Sequence, residues 1–137
     1  MFEAGIFDFD GVIVDSEPLH AEAKRLTLDH FHIAYPPQLF SDFKGRPDKA
    51  FFAHVAEKLA PGGPPAEAVE AYKIDLYLQL FDQVPLVPGA ADFLALARAA
   101  FPRLGLATSA IRRDFALAAD KYQLRQWFDV IVLSSFL

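Results

Sequence analysis

Two aspartates, Asp8 and Asp10, end an apolar run in the stretch GIFDFDGVIVDSEPLH at residues 5–20. A carboxylate removed from water without a partner costs free energy, so two of them so close together need either solvent or a cation. Because side chains alternate along a strand, Asp8 and Asp10 leave the same face of a strand end. The spacing therefore predicts either a solvated turn or a site where a positive ion joins the pair.

Three interpretations of this pair follow from the residue types. Asp10-Gly11 between two apolar runs is a hairpin signal. A calcium-binding loop is excluded, because it needs further oxygen ligands where the chain has Val12 and Ile13. The third interpretation is a metal and reaction site at the carboxyl end of a parallel strand, where open α/β sheets place their chemistry. The hairpin and the reaction site both stay open at this point.

The elements that must position the pair alternate between strand and helix. A short apolar strand is predicted at Ala4–Phe9, and the later elements are a helix around Asp92–Ala100, a strand at Leu104–Thr108, a helix at Arg112–Tyr122 and a strand at Val130–Leu133. Strands that alternate with helices favour right-handed crossovers and a parallel sheet. The sequence predicts an α/β core.

A helical segment interrupts this core. Its first helix begins after Asp15-Ser16, its second begins near Asp48 and stops at Pro61-Gly62-Gly63-Pro64-Pro65, and its third carries an apolar stripe of Val69, Tyr72, Leu76 and Leu80. The proline-rich stretch at residues 84–89 is typical of a stiff connector. We therefore predict a core made of residues 1–15 and 85–137, with an inserted helical domain at 16–84.

Composition excludes several classes of protein. Hydrophobic residues make up 53% of the 137 residues and charged residues 23%, as in a globular domain. There are no cysteines, which excludes disulfides and thiolate metal sites and favours a reducing, cytoplasmic location. The net charge of −5 argues against a nucleic-acid partner, and no apolar run is long enough to cross a membrane.

Four stretches together resemble the haloacid dehalogenase-like superfamily, in its branch with a helical cap that includes phosphoglycolate phosphatases and beta-phosphoglucomutases. FDFDGVIVDSEPLH is similar to the first motif of that branch, and LGLATSA at 104–110 is similar to the second. VPGA at 87–90 marks the return to the core, and WFDVIVLSS at 127–135 resembles the third strand. The resemblance implies a partial Rossmann-like parallel sheet with an inserted helical cap.

The resemblance also implies a reaction. Asp8 would attack phosphorus to form an aspartyl-phosphate, and Asp10 would protonate the leaving group and then activate water. Asp8 and Asp10 would hold Mg²⁺, since a cation must offset the repulsion between a carboxylate and an anionic substrate. Thr108 matches the hydroxyl that holds the phosphoryl group, with Ser109 able to share the role. The alternative for Thr108 is that it only starts the next helix.

In the cap, the resemblance singles out His20 and the loop FKGRPDK at 43–49, where Lys44, Gly45 and Arg46 would approach a small phosphorylated metabolite. A lone histidine is often structural, and a basic loop is often only a solvated surface. The mutases of this branch carry an arginine where this chain has Asp48 and Lys49, which weighs against a sugar-phosphate mutase.

The family pattern continues beyond what this chain contains. No lysine here follows the third strand, where the third motif would place one, and the later acidic strand end is also missing. We expect this chain to carry half of a Mg²⁺-dependent phosphatase site and to be inactive alone. The alternative is a non-catalytic relative that self-associates or binds without turnover. The sheet edge left open at the first strand predicts a homodimer through that edge.

Overall fold

A computed structural model describes residues 3–133. Its sheet has three strands, β1 (Ala4–Phe7), β2 (Arg103–Thr108) and β3 (Val130–Leu133), in the order β1-β2-β3. Both pairings are parallel, and in register Phe7 lies level with Leu106. The predicted α/β class with a partial parallel sheet is confirmed. The first strand ends two residues earlier than predicted, because the chain turns after Phe7.

The helices of the described chain are α1 (Glu17–His30), α2 (Leu39–Asp42), α3 (Asp48–His54), α4 (Ala66–Leu80), α5 (Ala90–Ala100) and α6 (Arg112–Tyr122). One turn of π-helix, Val55–Leu59, extends α3. The short helix α2 was not predicted, because four residues cannot show a helical period. Within residues 3–133, no helix combines the length and the apolar character that a membrane span requires.

Contacts divide the chain into two compact units, one made of Met1–Pro18 with Phe81–Leu137 and the other of Leu19–Leu80. We call them the sheet unit and the helical unit. The domain boundaries at residues 16 and 84 stay a prediction. In the sheet unit, Phe9, Leu104 and Leu106 are among the fully buried side chains. The helical unit has its own apolar core, formed by Leu28, Ile33, Leu39, Phe43, Phe51, Phe52, Val55 and Val69.

Helix α4 buries a different stripe from the one predicted. Its buried residues are Val69, Lys73 and Tyr77, each four positions from the next. The predicted stripe shares only Val69 with it, because hydrophobic periodicity does not count a lysine toward an apolar face. In an α-helix, residues four apart lie on one face, so the buried lysine belongs to the packed side of α4. Lys73 is only 2% exposed.

Candidate active site

The first two strands of the sheet end side by side, and the predicted site residues follow those ends. Because β1 and β2 are parallel neighbours, their carboxyl ends meet the same edge of the sheet. Asp8 comes directly after β1, and Thr108 is the last residue of β2. The topology therefore brings Asp8 and Thr108 to one edge, as the reaction-site interpretation requires.

A tight turn follows β1 and holds Asp10. The backbone N–H groups of Ile13 and Val14 both donate to the carbonyl oxygen of Phe9, at 2.9 and 3.2 Å. Gly11 occupies the left-handed region at φ 75°, which a side chain would disfavour. The hairpin interpretation of Asp10-Gly11 is wrong, because β1 pairs in parallel with β2 and not with the residues after the turn.

Phe9 anchors the turn between the two aspartates. Its side chain is completely buried and meets Phe115 of α6 edge-on, with ring centroids 5.5 Å apart. Its backbone N–H donates to Asp8 Oδ1 at 2.7 Å. Asp8 is exposed, so its carboxylate is held by the backbone while it remains accessible to solvent.

Asp10 is held from the other side of the turn. The hydroxyl of the buried Ser16 donates to Asp10 Oδ1 at 2.8 Å. Desolvation of the carboxyl raises the pKa of Asp10; the Ser16 hydrogen bond opposes that rise, and the charge of Asp8 adds to it. Asp10 is therefore more easily protonated than an ordinary aspartate, which suits a group that must donate a proton.

Thr108 is buried, and its Oγ1 accepts a hydrogen bond from the backbone N–H of Ala110 at 3.0 Å. Ser109 is exposed beside it. The helix α6 begins four residues after Thr108, at Arg112, so Thr108 lies before the helix rather than in its first turn. Its hydroxyl shapes the loop that leaves β2.

A third carboxylate, Asp114, belongs to the same unit and was not predicted. It is only 6% exposed, in the first turn of α6, and accepts from Arg113 Nη1 at 3.1 Å. Burial raises the pKa of Asp114; Arg113 opposes that rise, while the charge of Asp10 adds to it. The field of Asp10 thus reaches Asp114. The signal in the sequence was an acidic residue on the otherwise apolar face of α6, beside Phe115.

In the helical unit, His20 belongs to a polar cluster. Lys73 Nζ lies 2.9 Å from His20 Nδ1 and 2.6 Å from Asp48 Oδ2, and Lys24 Nζ lies 3.2 Å from Asp48 Oδ1. The ring of Tyr77 stacks on the imidazole at a centroid distance of 3.9 Å. Burial opposes ionisation of Asp48, but the hydrogen bond from Lys73 and the charges of both lysines hold its pKa below the usual range.

These contacts fix the protonation of His20. An ammonium group can only donate, so Nδ1 must accept from Lys73 and the ring proton of the neutral imidazole lies on Nε2. Burial, followed by the positive charge of Lys73, lowers the pKa of His20 from 6.5 to about 4. His20 is therefore a neutral ring that offers one N–H donor near neutral pH.

This lowered pKa makes the stability of the chain depend on pH. Below pH 6.5 the unfolded chain protonates His20 while the folded chain does not, so acid favours unfolding until the pH reaches the folded pKa of about 4. We expect the free energy of unfolding to fall by about 1–2 kcal/mol between pH 6.5 and pH 5, allowing for partial solvent screening. Urea titrations at several pH values would measure this.

The variant His20→Asn should remove that contribution and flatten the pH dependence. His32 is the matched control, because it is exposed and sits at φ 55°, a conformation that asparagine tolerates. His32→Asn should therefore keep the pH dependence of the original chain. Equal slopes in the original chain and in His20→Asn would show that His20 is not held neutral by folding.

The basic loop of the helical unit follows α2. Lys44, Gly45 and Arg46 are all exposed, and Gly45 adopts φ 79°. The guanidinium of Arg46 lies 4.4 Å from the ring centroid of Phe43. Gly45 thus has a clear conformational role, while Lys44 and Arg46 present positive charge at the surface of this unit.

The sequence profile of the haloacid dehalogenase-like hydrolases matches residues 5–136. The match includes both strand ends described above and almost the whole chain. The chain belongs to the haloacid dehalogenase-like hydrolases. Its resemblance to the branch with beta-phosphoglucomutases and phosphoglycolate phosphatases is confirmed.

Two curated members of this family show what the chain is similar to. It is 30% identical over 133 residues to a phosphorylated carbohydrates phosphatase of Thermotoga maritima, with 95% of this chain and 60% of the relative aligned. It is 32% identical over 117 residues to the fructose-1-phosphate phosphatase YqaB of Escherichia coli, with 74% of this chain and 62% of the relative aligned. The chain thus spans about three fifths of the length of these phosphatases.

A solved structure in the haloacid dehalogenase-like group supports the fold. A Thermotoga maritima protein provisionally described as a beta-phosphoglucomutase superposes with a TM-score of 0.78 at 28% identity, over 96% of this chain and 61% of that one. The three-stranded parallel sheet and its helices are therefore part of the fold of this group.

The family implies a magnesium ion, and the described residues of the sheet unit offer some, but not all, of the ligands that such an ion needs. Asp8 and Asp10 offer the oxygen atoms that Mg²⁺ prefers, and Asp8 is exposed. Within residues 3–133, no group of three acidic or histidine side chains is arranged to hold a metal. The described residues can therefore supply only part of an octahedral shell, and water would fill the rest.

Proposed function

We propose that this chain carries the first half of a phosphatase site that hydrolyses a small phosphate monoester through an aspartyl-phosphate. The observation that supports it is the edge where Asp8 follows β1 and Thr108 ends β2, in a member of the haloacid dehalogenase-like hydrolases. An exposed carboxylate and a hydroxyl on neighbouring parallel strands are suited to hold one phosphoryl group between them.

The reaction has two steps. In the first, a carboxylate oxygen of Asp8 forms a bond to phosphorus while the bond from phosphorus to the ester oxygen breaks, and the Asp10 carboxyl gives its proton to the leaving alkoxide. In the second, water attacks phosphorus, its proton passes to Asp10, and the bond between Asp8 and phosphorus breaks to release inorganic phosphate. Thr108 and Ser109 would hold the phosphoryl oxygens.

The environment of Asp10 supports this assignment of roles. Its pKa is raised, chiefly by desolvation of the carboxyl, and this is the direction that suits a group giving up a proton in the first step. The Ser16 hydroxyl fixes one carboxyl oxygen, so the side chain is oriented before substrate arrives. Asp8 and Asp10 would hold Mg²⁺, which would supply positive charge for the phosphoryl oxygens.

We propose a phosphorylated carbohydrate as the substrate class. Both curated relatives are named for such substrates, one for phosphorylated carbohydrates and the other for fructose 1-phosphate. His20, Lys44, Gly45 and Arg46 stay predictions for substrate contacts. Among them, His20 would offer its Nε2–H as a donor, and Lys44 and Arg46 would offer positive charge.

The test is a phosphatase assay of this 137-residue chain over a panel of sugar phosphates, with and without Mg²⁺. Because residues 3–133 supply only part of a metal shell, we expect magnesium-dependent hydrolysis well below the ~1–10³ s⁻¹ of ordinary enzymes. Rates in that ordinary range would show that the site is complete within this chain. Hydrolysis that is insensitive to Mg²⁺ would contradict the proposed chemistry.

A non-catalytic relative that binds without turnover is the second candidate. Two features of residues 3–133 favour it. No group of three acidic or histidine side chains there is arranged to hold a metal, and the outer side of β1 has no neighbouring strand in the described sheet. Pairing through that edge would give the predicted homodimer. Magnesium-dependent phosphate binding, seen by calorimetry in a chain that never forms an aspartyl-phosphate, would favour this candidate over the first.

A further inference from the structure

Residues 84–87 run beside residues 13–15 within the sheet unit, and we call residues 84–87 the backing segment. The backbone N–H of Asp15 donates to a carbonyl oxygen of the backing segment at 2.8 Å. The backbone N–H of Val87 donates in return to the carbonyl oxygen of Ile13, also at 2.8 Å. An antiparallel bridge lies between these two bonds. The backing segment therefore fixes where residues 13–15 lie.

The paired residues in turn hold the turn that carries Asp10. The backbone N–H of Gly11 donates to the carbonyl oxygen of Val14 at 2.8 Å, which closes the backbone directly after Asp10. The hydroxyl of the buried Ser16 donates to the carboxylate of Asp10, also at 2.8 Å. Because Val14 and Ser16 lie on either side of Asp15, the position of the Asp10 carboxylate depends on the pairing of that residue with the backing segment.

The last turn of α6 holds the backing segment. The hydroxyl of Tyr122 donates to the carbonyl oxygen of Val84 at 2.6 Å. Val84 is only 1% exposed, so water cannot readily replace this donor if the hydroxyl is removed. The neighbouring Lys121 reaches the carbonyl oxygen of Asp82 at the longer distance of 3.4 Å, and both of these residues are exposed. Tyr122 therefore makes the stronger attachment.

The first part of the same helix contacts the turn that carries Asp10. Phe115 meets Phe9 edge-on, with ring centroids 5.5 Å apart, and both side chains are buried. The helix has 11 residues and is about 16 Å long. It contacts the turn through Phe115 and the backing segment through Tyr122, so one stiff element sets the position of the backing segment relative to the turn.

We propose that Tyr122 is a positioning residue for Asp10. Its hydroxyl holds the backing segment, the backing segment holds residues 13–15, and the bonds made by Val14 and Ser16 hold Asp10. Tyr122 acts through this series of bonds and not by contact with the reacting atoms. The inference rests on the proposed function, in which the Asp10 carboxylate takes the proton of the attacking water.

Amide hydrogen exchange tests the series of bonds without any need for activity. Tyr122→Phe keeps the ring and removes the hydroxyl. In this variant the amides of Val87, Asp15 and Gly11 should exchange roughly three- to tenfold faster, the range expected for the loss of one hydrogen bond. The control is Tyr72→Phe in the helical unit, which should leave these three amides unchanged. An unchanged rate at Gly11 in Tyr122→Phe would show that the effect stops short of Asp10 and would overturn the proposal.

A double-mutant cycle tests whether the effect on the chemistry passes through Asp10. The chain is phosphorylated with acetyl phosphate and Mg²⁺, and the loss of the phosphoryl group is followed over time. Tyr122→Phe should lengthen the lifetime of the phosphorylated chain roughly three- to tenfold, because the water is then activated by a poorly placed carboxylate. In the Asp10→Asn chain the same substitution should change the lifetime by less than about twofold, since no carboxylate remains to be positioned. Equal lengthening in both chains would overturn the proposal.

Failure of this inference and failure of the proposed function give different results. If acetyl phosphate does not label the original chain, the phosphatase chemistry is contradicted, and the exchange rate at Gly11 still decides whether Tyr122 holds the turn that carries Asp10. If the label forms and is lost equally fast from the original chain and from Tyr122→Phe, the phosphatase chemistry stands and the positioning role of Tyr122 is overturned.

Discussion

Replacing Asp8 with asparagine is expected to abolish the phosphorylation of this chain by acetyl phosphate and Mg²⁺. Asp8 provides the only attacking atom of the proposed first step, and an amide cannot form the acyl-phosphate. We expect the fraction of chain that gains one phosphoryl group to fall by roughly 10³-fold or more. Intact-mass spectrometry after a rapid acid quench would measure that fraction.

The control for this variant is Asp92→Asn. Asp92 is an exposed aspartate in the first turn of α5 and takes no part in the proposed site. The Asp92→Asn chain should be phosphorylated as fully as the original chain. Phosphorylation that persists in the Asp8→Asn chain would remove Asp8 as the nucleophile.

Replacing Asp10 with asparagine is expected to trap the phosphorylated chain. Acetate is a weak base and leaves without a proton donor, so the first step with acetyl phosphate should continue in Asp10→Asn. The second step needs a base to take the proton of water, and that base would be lost. The lifetime of the phosphoryl group on Asp8 should therefore increase by roughly 10²–10⁴-fold.

Pulse-labelling with acetyl phosphate, followed by dilution and timed quenching, would measure that lifetime. The original chain and the Asp92→Asn chain should lose the label at the same rate, while Asp10→Asn retains it. An unchanged lifetime in Asp10→Asn would show that water is activated by another group. The buried Asp114, whose pKa responds to the charge of Asp10, would be the next residue to test.

The positions of the strands could be predicted from the sequence because their signals are local. Leu104–Thr108 and Val130–Leu133 are short apolar runs that alternate with helical segments, and parallel pairing follows from that alternation. Asp8 and Thr108 could be placed at one edge for the same reason. The turn in which Ser16 donates a hydrogen bond to Asp10 could not be predicted, since Asp10-Gly11 is equally typical of a hairpin.

The polar cluster of the helical unit could not be predicted from the sequence, for a different reason. Lys73 is buried because His20, Asp48 and Tyr77 surround it, and these residues come from three separate helices. Hydrophobic periodicity treats a lysine as a surface residue, so it assigned the wrong stripe to α4. A lysine between Val69 and Tyr77 at four-residue spacing was the signal available, and only tertiary packing gives it meaning.

A crystal structure of this chain grown with Mg²⁺ and beryllium fluoride tests the proposed site most directly. Beryllium fluoride binds a carboxylate as a stable stand-in for a phosphoryl group. Our account predicts beryllium bonded to a carboxylate oxygen of Asp8, with Thr108 Oγ1 within hydrogen-bonding distance of a fluorine and Mg²⁺ beside Asp8. Beryllium bonded elsewhere, Thr108 out of reach of the fluorines, or no complex at saturating concentrations would contradict it.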